Sequence, residues 1–147
     1  MVLERQPAKF IAYITKTNSR QPFPGTYECT DVDWGHELVF VKRLSFTEPC
    51  VFGFNEVVLR EYSGTKDATL KPAYDGDILE VEEYDNNQNA WLPRFRGEVR
   101  FYPEKGAWGI YRLDTQSVVV LDAFTMRHAK ILGNIHEHSE LLAKVSA

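Results

Sequence analysis

A chain of 147 residues with 44% hydrophobic and 26% charged residues has the size and balance of one ordinary globular domain. It is neither a disordered segment nor a chain so short that it needs a disulfide or metal staple. A net charge of −4 argues against a broad basic footprint for duplex DNA. Four cations, Arg5, Lys9, Lys16 and Arg20, stand against Glu4 in the first twenty residues, so the remainder is more acidic than the total. Next along the chain, Lys9–Ile14 reads as a short strand. Thr17–Gly25 reads as a loop broken by Pro22, Pro24 and Gly25, and 26–37 as polar and irregular. Leu38–Leu44 and Val57–Tyr62 read as strands, with Pro49 between them excluding a central strand at that point.

From Ile78 the pattern sharpens. Ile78–Tyr84 is a predicted strand and Asp85–Pro93 a polar loop ending in Trp91 and Leu92. Arg94–Tyr102 alternates, which predicts Phe95, Val99 and Phe101 on one face and Arg94, Arg96, Glu98 and Arg100 on the other. Pro103–Gly106 is a turn with Gly106 at positive φ. Strands follow over Ala107–Leu113, Ser117–Asp122 and His128–Gly133. His136–Val145 reads as a short helix with Leu141, Leu142 and Val145 as its apolar stripe, capped by His138 or Ser139. The expected class is mainly β: a small barrel or roll of successive hairpins, an irregular N-terminal β region over 1–56, and a core with a C-terminal helix over 57–147, all in one domain. Cys29 and Cys50 form no C-x-x-C pair and are expected as reduced, packed thiols. No apolar run reaches a membrane span and MVLERQPAKFIAYI lacks a signal-peptide core, so no membrane association is expected and the location is the cytoplasm.

Three stretches carry a resemblance. Leu59–Val81 (LREYSGTKDATLKPAYDGDILEV) holds an aromatic-x-Gly-x-x-Asp segment and then an aromatic-x-Gly-Asp-Ile strand start. Gly97–Ile110 (GEVRFYPEKGAWGI) supplies a hairpin, and Ile131–Leu142 (ILGNIHEHSELL) a Leu-Gly-Asn-Ile segment followed by a Glu and a closing Leu-Leu. In this order they resemble the YopX family over roughly the last 90 residues. The resemblance implies an SH3-type barrel core with extra β structure and a phage or prophage origin, and implies no activity. The usual N-terminal Arg-Ala-Trp-Asp-like opening is replaced by FIAYITKT, and the tail's tyrosine and Asn-Pro by His136 and His138-Ser139. On turn chemistry Gly76 and Asp77 are structural: Gly76 supplies positive φ and Asp77 accepts from turn amides. Gly133 and Asn134 similarly form a strand exit.

Four groups of residues are candidates for function. Asp75, Asp77, Glu80, Glu82, Glu83 and Asp85 form an acidic run that would bind a divalent cation only if its carboxylates converged. The simpler expectation pairs Glu80 and Glu82 with Arg94, Arg96 or Arg100 across the ladder. Those arginines, with Trp91, Tyr102 and Trp108 nearby, would otherwise suit single-stranded nucleic acid. His128, His136 and His138 lack the convergent set a zinc site needs. The P-loop, the dinucleotide glycine fingerprint, G-x-S-x-G and H-E-x-x-H are missing, so no cofactor, no metal and no enzyme activity are expected. The resulting expectation is a protein-interaction module for a host or phage protein, with Trp91, Arg94, Arg96 and Arg100 as contacts and self-association through open strand edges as a further possibility. Single-stranded nucleic-acid binding is the alternative, and a metal-dependent enzyme at 75–85 the weaker one.

Overall fold

The computed structural model describes residues 7–14, 25–42 and 50–143. Among these the chain forms thirteen β-strands, two short α-helices and one 3-10 turn, so the mainly-β class holds. Their contacts divide into two compact units, Met1–Tyr62 and Ser63–Ala147. Arg5, Lys16, Arg20, Pro49, Val145 and the predicted loop 17–24 lie outside the described residues. No helix among the described residues is long and apolar enough to cross a membrane.

The first unit is an antiparallel sheet. Strands β1 (Phe10–Ile14), β2 (Gly25–Asp33), β3 (Leu38–Val41), β4 (Cys50–Gly53) and β5 (Val57–Lys66) are ordered β4-β3-β2-β1-β5, and the division between units falls within β5. Alternation builds the core: Ala12, Ile14, Val39, Val41, Cys50 and Phe52 are buried together. The expected irregular stretch 26–37 is instead β2 and a tight turn. β2 carries no buried residue and shifts register between Cys29 and Asp31, so it shows no clean alternation to read. Its strand state comes from ladders on both sides. Asp33 closes the turn by accepting from the His36 amide at 3.1 Å, with its other oxygen 2.8 Å from His36 Nδ1. These bonds hold the Asp33 carboxyl below the usual range. Cys29 and Cys50 are both register partners of Val41, on opposite sides of it. Two strand spacings of about 4.8 Å separate them, beyond disulfide reach, and both are free thiols.

The second unit holds β6 (Pro72–Tyr74), β7 (Asp77–Val81), β8 (Tyr84–Asp85), β9 (Ala90–Trp91), β10 (Phe95–Tyr102), β11 (Ala107–Arg112), β12 (Val118–Val120), α1 (Ala123–Met126), β13 (Ala129–Asn134) and α2 (Glu140–Ala143). Its main sheet is ordered β12-β11-β10-β7-β13, with β8 and β9 as a separate ribbon. Leu79, Val81, Phe95, Val99, Ile110, Met126 and Ile131 belong to its core. The sheets are not closed into a barrel: β12 and β13 end the strand order and do not pair with each other. The expected barrel is therefore corrected to an open antiparallel sheet.

Several local expectations change with it. Phe101 is 43% exposed, while Glu98 is buried, opposite Ile78 and Tyr111. Alternation on β10 thus stops marking the core beyond Val99, where the strand runs out to the hairpin tip. The expected loop 85–93 folds back as β8 and β9 around a turn, and Asp122 caps a helix, α1, by accepting from the Thr125 amide. The C-terminal helix starts later than expected, at Glu140, because 135–137 form a turn before α2.

Gly76-Asp77 stands at the start of β7 and Gly133-Asn134 at the end of β13. Gly76 sits at φ 88°, its amide donating to Val99 and its carbonyl accepting from Ile135. Asp77 is buried and accepts from the Tyr74 amide at 2.8 Å. Asn134 accepts through Oδ1 from the amides of His136 and Glu137. Its own amide donates to His138 Nδ1 at 3.1 Å. A Cβ on Gly133 would fall 2.6 Å from that same Nδ1. Gly133→Ala is therefore expected to push His138 aside and destabilise the protein by about 2 kcal/mol, read as a lower urea midpoint. An unchanged midpoint would show that the His138 contact is dispensable.

Candidate functional site

The arginines proposed as contacts do not form a free cationic face. Arg94 Nη1 donates to Glu80 at 2.9 Å, and its Nη2 lies 2.7 Å from Glu82. This is the cross-strand pairing expected for the two glutamates, and the Glu80 bond, then Glu82, raises the Arg94 pKa. Arg96 lies opposite Glu80 in register but donates to the Leu141 carbonyl at 3.2 Å, reaching into α2. Arg100 forks onto Glu98 at 2.9 and 3.1 Å and lies 4.0 Å over the Tyr111 ring. The Glu98 bonds raise its pKa against the opposing effect of burial. Each guanidinium is already engaged, and the three point to three different partners.

The acidic run is dispersed in the same way. Asp77 serves its turn, Glu80 and Glu82 share Arg94, and Glu83 lies 3.6 Å from Arg112. Asp85 caps the ribbon turn through the amides of Asn87 and Gln88. No group of three or more His, Cys, Asp or Glu residues converges as a metal site among the described residues. His138 Nδ1 accepts from the Asn134 amide. Tyr102 ends β10 and Trp108 lies on β11. Trp108 packs partly buried against the core, and the Tyr102 hydroxyl is buried without a hydrogen-bond partner.

Trp91 behaves differently: it is 54% exposed at the end of β9. The ribbon sets it opposite Tyr84, ring to ring at 5.2 Å and 69°. On its other side stands His128, 5.3 Å away at 59°, and beyond that Phe124 of α1, 5.2 Å from His128 at 66°. Two main-chain bonds fix this arrangement. The Glu82 amide donates to the His128 carbonyl and the Leu92 amide to the Glu83 carbonyl, joining the ribbon base to the turn before β13. The four rings border a hollow of about 80 Å³, lined also by Val81, Phe95 and Val119 and by Glu82 and Glu83. Exposed Val118 and Val120 stand on the neighbouring edge strand β12. On that strand Val119 lines the hollow, so Val118 and Val120 face the other way by alternation, and Trp91 is an exposed aromatic at the hollow itself.

Sequence reasoning singled out Trp91 but missed Phe124 and His128 as its companions. The signal available was the run from Asp122 to Thr125, an acidic cap three residues before a hydroxyl residue, which marks a helix start and places Phe124 on it. A second hollow, in the first unit, was also missed. It measures about 320 Å³ and is walled by Phe10 and Trp34, with Lys9, Cys29 and Asp31 beside them. Trp34 meets Phe10 and Phe54 edge-on at 5.7 and 5.4 Å. Burial pushes the Cys29 thiol up to about 12, so it is no nucleophile at neutral pH.

No curated protein matches the sequence. The family model described as YopX protein matches residues 23–143, spanning strands of both units and all three stretches that carried the resemblance. On that match, over most of its length, the chain belongs to the YopX family.

Proposed function

We propose that this chain is a non-enzymatic interaction module, of phage or prophage origin, that docks a host or phage protein on the aromatic surface around Trp91. The observation that supports this reading is a half-exposed tryptophan in ring contact with both Tyr84 and His128 and lining a hollow. Rigid, exposed aromatics dominate binding energetics because they gain large burial at little entropic cost. Nucleic-acid binding through the same region is the less supported reading, since Arg94 and Arg100 are held by carboxylates and Arg96 by a carbonyl.

The test is affinity capture of partner from bacterial lysate by the tagged full chain, with and without nuclease. Wild type is compared with Trp91→Ala and with a triple variant at Arg94, Arg96 and Arg100. The expected result is a partner that survives nuclease and binds Trp91→Ala about 30-fold more weakly, a hot-spot loss of about 2 kcal/mol. A partner held equally by Trp91→Ala overturns the assignment of the surface. Capture that vanishes with nuclease moves the function to nucleic acid.

A further inference from the structure

We infer that the hollow beside Trp91 is an aromatic cage for an alkylated ammonium, and that the side chain it takes from the docked protein is a methylated lysine. This rests on the docking reading above and adds the chemistry of what enters the site. Tyr84, Trp91, His128 and Phe124 are mutually inclined at 69°, 59° and 66°, so their rings wall a recess instead of forming a flat stack. At about 80 Å³ the recess is half the volume of a cavity that holds benzene, about 150 Å³. A recess of that size suits one compact head group. A planar guanidinium stacks best on a broad parallel face, which inclined walls do not offer.

The charge of the guest follows from the same walls. Aromatic faces are the negative poles of their rings and attract cations lying over them. Glu82 and Glu83, which also line the hollow, add to that attraction and repel an anion. One face of Phe95 is already covered by the Arg112 guanidinium at 3.9 Å, so the guest meets the rings of Tyr84, Trp91, Phe124 and His128 instead. The degree of alkylation follows from hydration. Glu82 is 2.7 Å from Arg94 and Glu83 is 3.6 Å from Arg112, so part of their charge is already balanced. A bare ammonium is strongly hydrated and would regain little for the water it loses. Methylation keeps the charge while weakening that hydration, which favours a guest bound mainly by ring faces.

The test titrates the full chain with three probes: N-acetyl-trimethyllysine amide, N-acetyl-lysine amide, and the analogue with a neutral tert-butyl group in place of trimethylammonium. Binding is followed by tryptophan fluorescence and by NMR shifts of the Trp91 indole. The trimethylated probe is expected to bind about tenfold more tightly than either of the others. Trp91→Ala and Phe124→Ala, both at exposed positions, are expected to abolish that preference without moving the melting temperature. Equal binding of the neutral analogue overturns the cage and leaves an apolar docking site. Equal binding of unmodified lysine overturns the requirement for methylation. If none of the probes binds while capture of the partner still depends on Trp91, the cage fails and the docking reading survives; loss of both effects overturns both.

Discussion

Asp67→Ala is expected to lower the stability of the protein by about 3 kcal/mol, although Asp67 touches no part of the proposed site. The carboxylate is 3% exposed. It accepts four hydrogen bonds: from the Thr69 amide, the Thr69 hydroxyl and the Lys71 amide through one oxygen, and from the Ile131 amide through the other. The first three shape the turn after β5, and the last ties that turn to β13. Alanine would leave these donors unsatisfied. Asn is expected to cost less, because one oxygen remains to accept while an amide group faces a donor. Burial pushes the Asp67 pKa up, but bonds from Ile131, Lys71 and Thr69 outweigh it and hold it below the usual carboxylate value. A depressed folded-state pKa stabilises the protein above the unfolded value of about 3.9, and that contribution is lost as pH falls through the folded value. The gap between wild type and Asp67→Ala in urea unfolding should therefore be full at neutral pH and shrink in acid. The other depressed aspartates are common to both proteins and cancel in that difference. A gap independent of pH would show that the ionised carboxylate is not the source of the effect.

Phe52→Ala is expected to cost about 4 kcal/mol. Phe52 is 1% exposed and lies opposite Val39, in a cluster with Ala12, Ile14, Val41 and Cys50. Removing the ring deletes its transfer free energy and leaves a cavity that a thin sheet core fills poorly. Phe52→Leu should lose less than about 1.5 kcal/mol, because most of the volume is kept. Amide exchange at Val39 and Val41 reads the loss in the unit that carries the substitution. Protection there that survives Phe52→Ala would mean that the cluster is not what holds β3 and β4.

Where a segment alternated or carried a turn residue, the fold was legible. The strands read at β1, β3, β7, β10 and β11 are present, although alternation on β10 fails at Glu98 and Phe101, and Gly76 takes the positive φ and Asp77 the turn amide that their chemistry suggested. β2 was not legible because its register shift breaks the period and none of its residues is buried. Closure into a barrel was suggested by the succession of hairpins and by the family resemblance, and the open strand order corrects it. At the candidate site the sequence identified Trp91 and the pairing of Glu80 and Glu82 with arginine. It could not resolve which arginine would answer, because Arg94, Arg96 and Arg100 share one periodicity while their partners come from β7, α2 and β10 itself. Nor could it bring Phe124 and His128 to Trp91, since that meeting depends on main-chain bonds between segments distant in sequence.

The place of β7 in its sheet also bears on how the second unit folds. This strand comes early in the unit, yet it lies between β10 and β13, and its first residue Asp77 is matched with Asn134 near the other end of the unit. Hairpins such as β10 with β11 can form locally within microseconds. The β7–β13 ladder must wait for a long loop to close, at an entropic cost that is met before any of its contacts are made. Folding on the slow side, in milliseconds to seconds, follows from that topology. Until β13 docks, one edge of the β7 ladder stays open, and during that interval the nascent sheet is exposed to pairing with another chain.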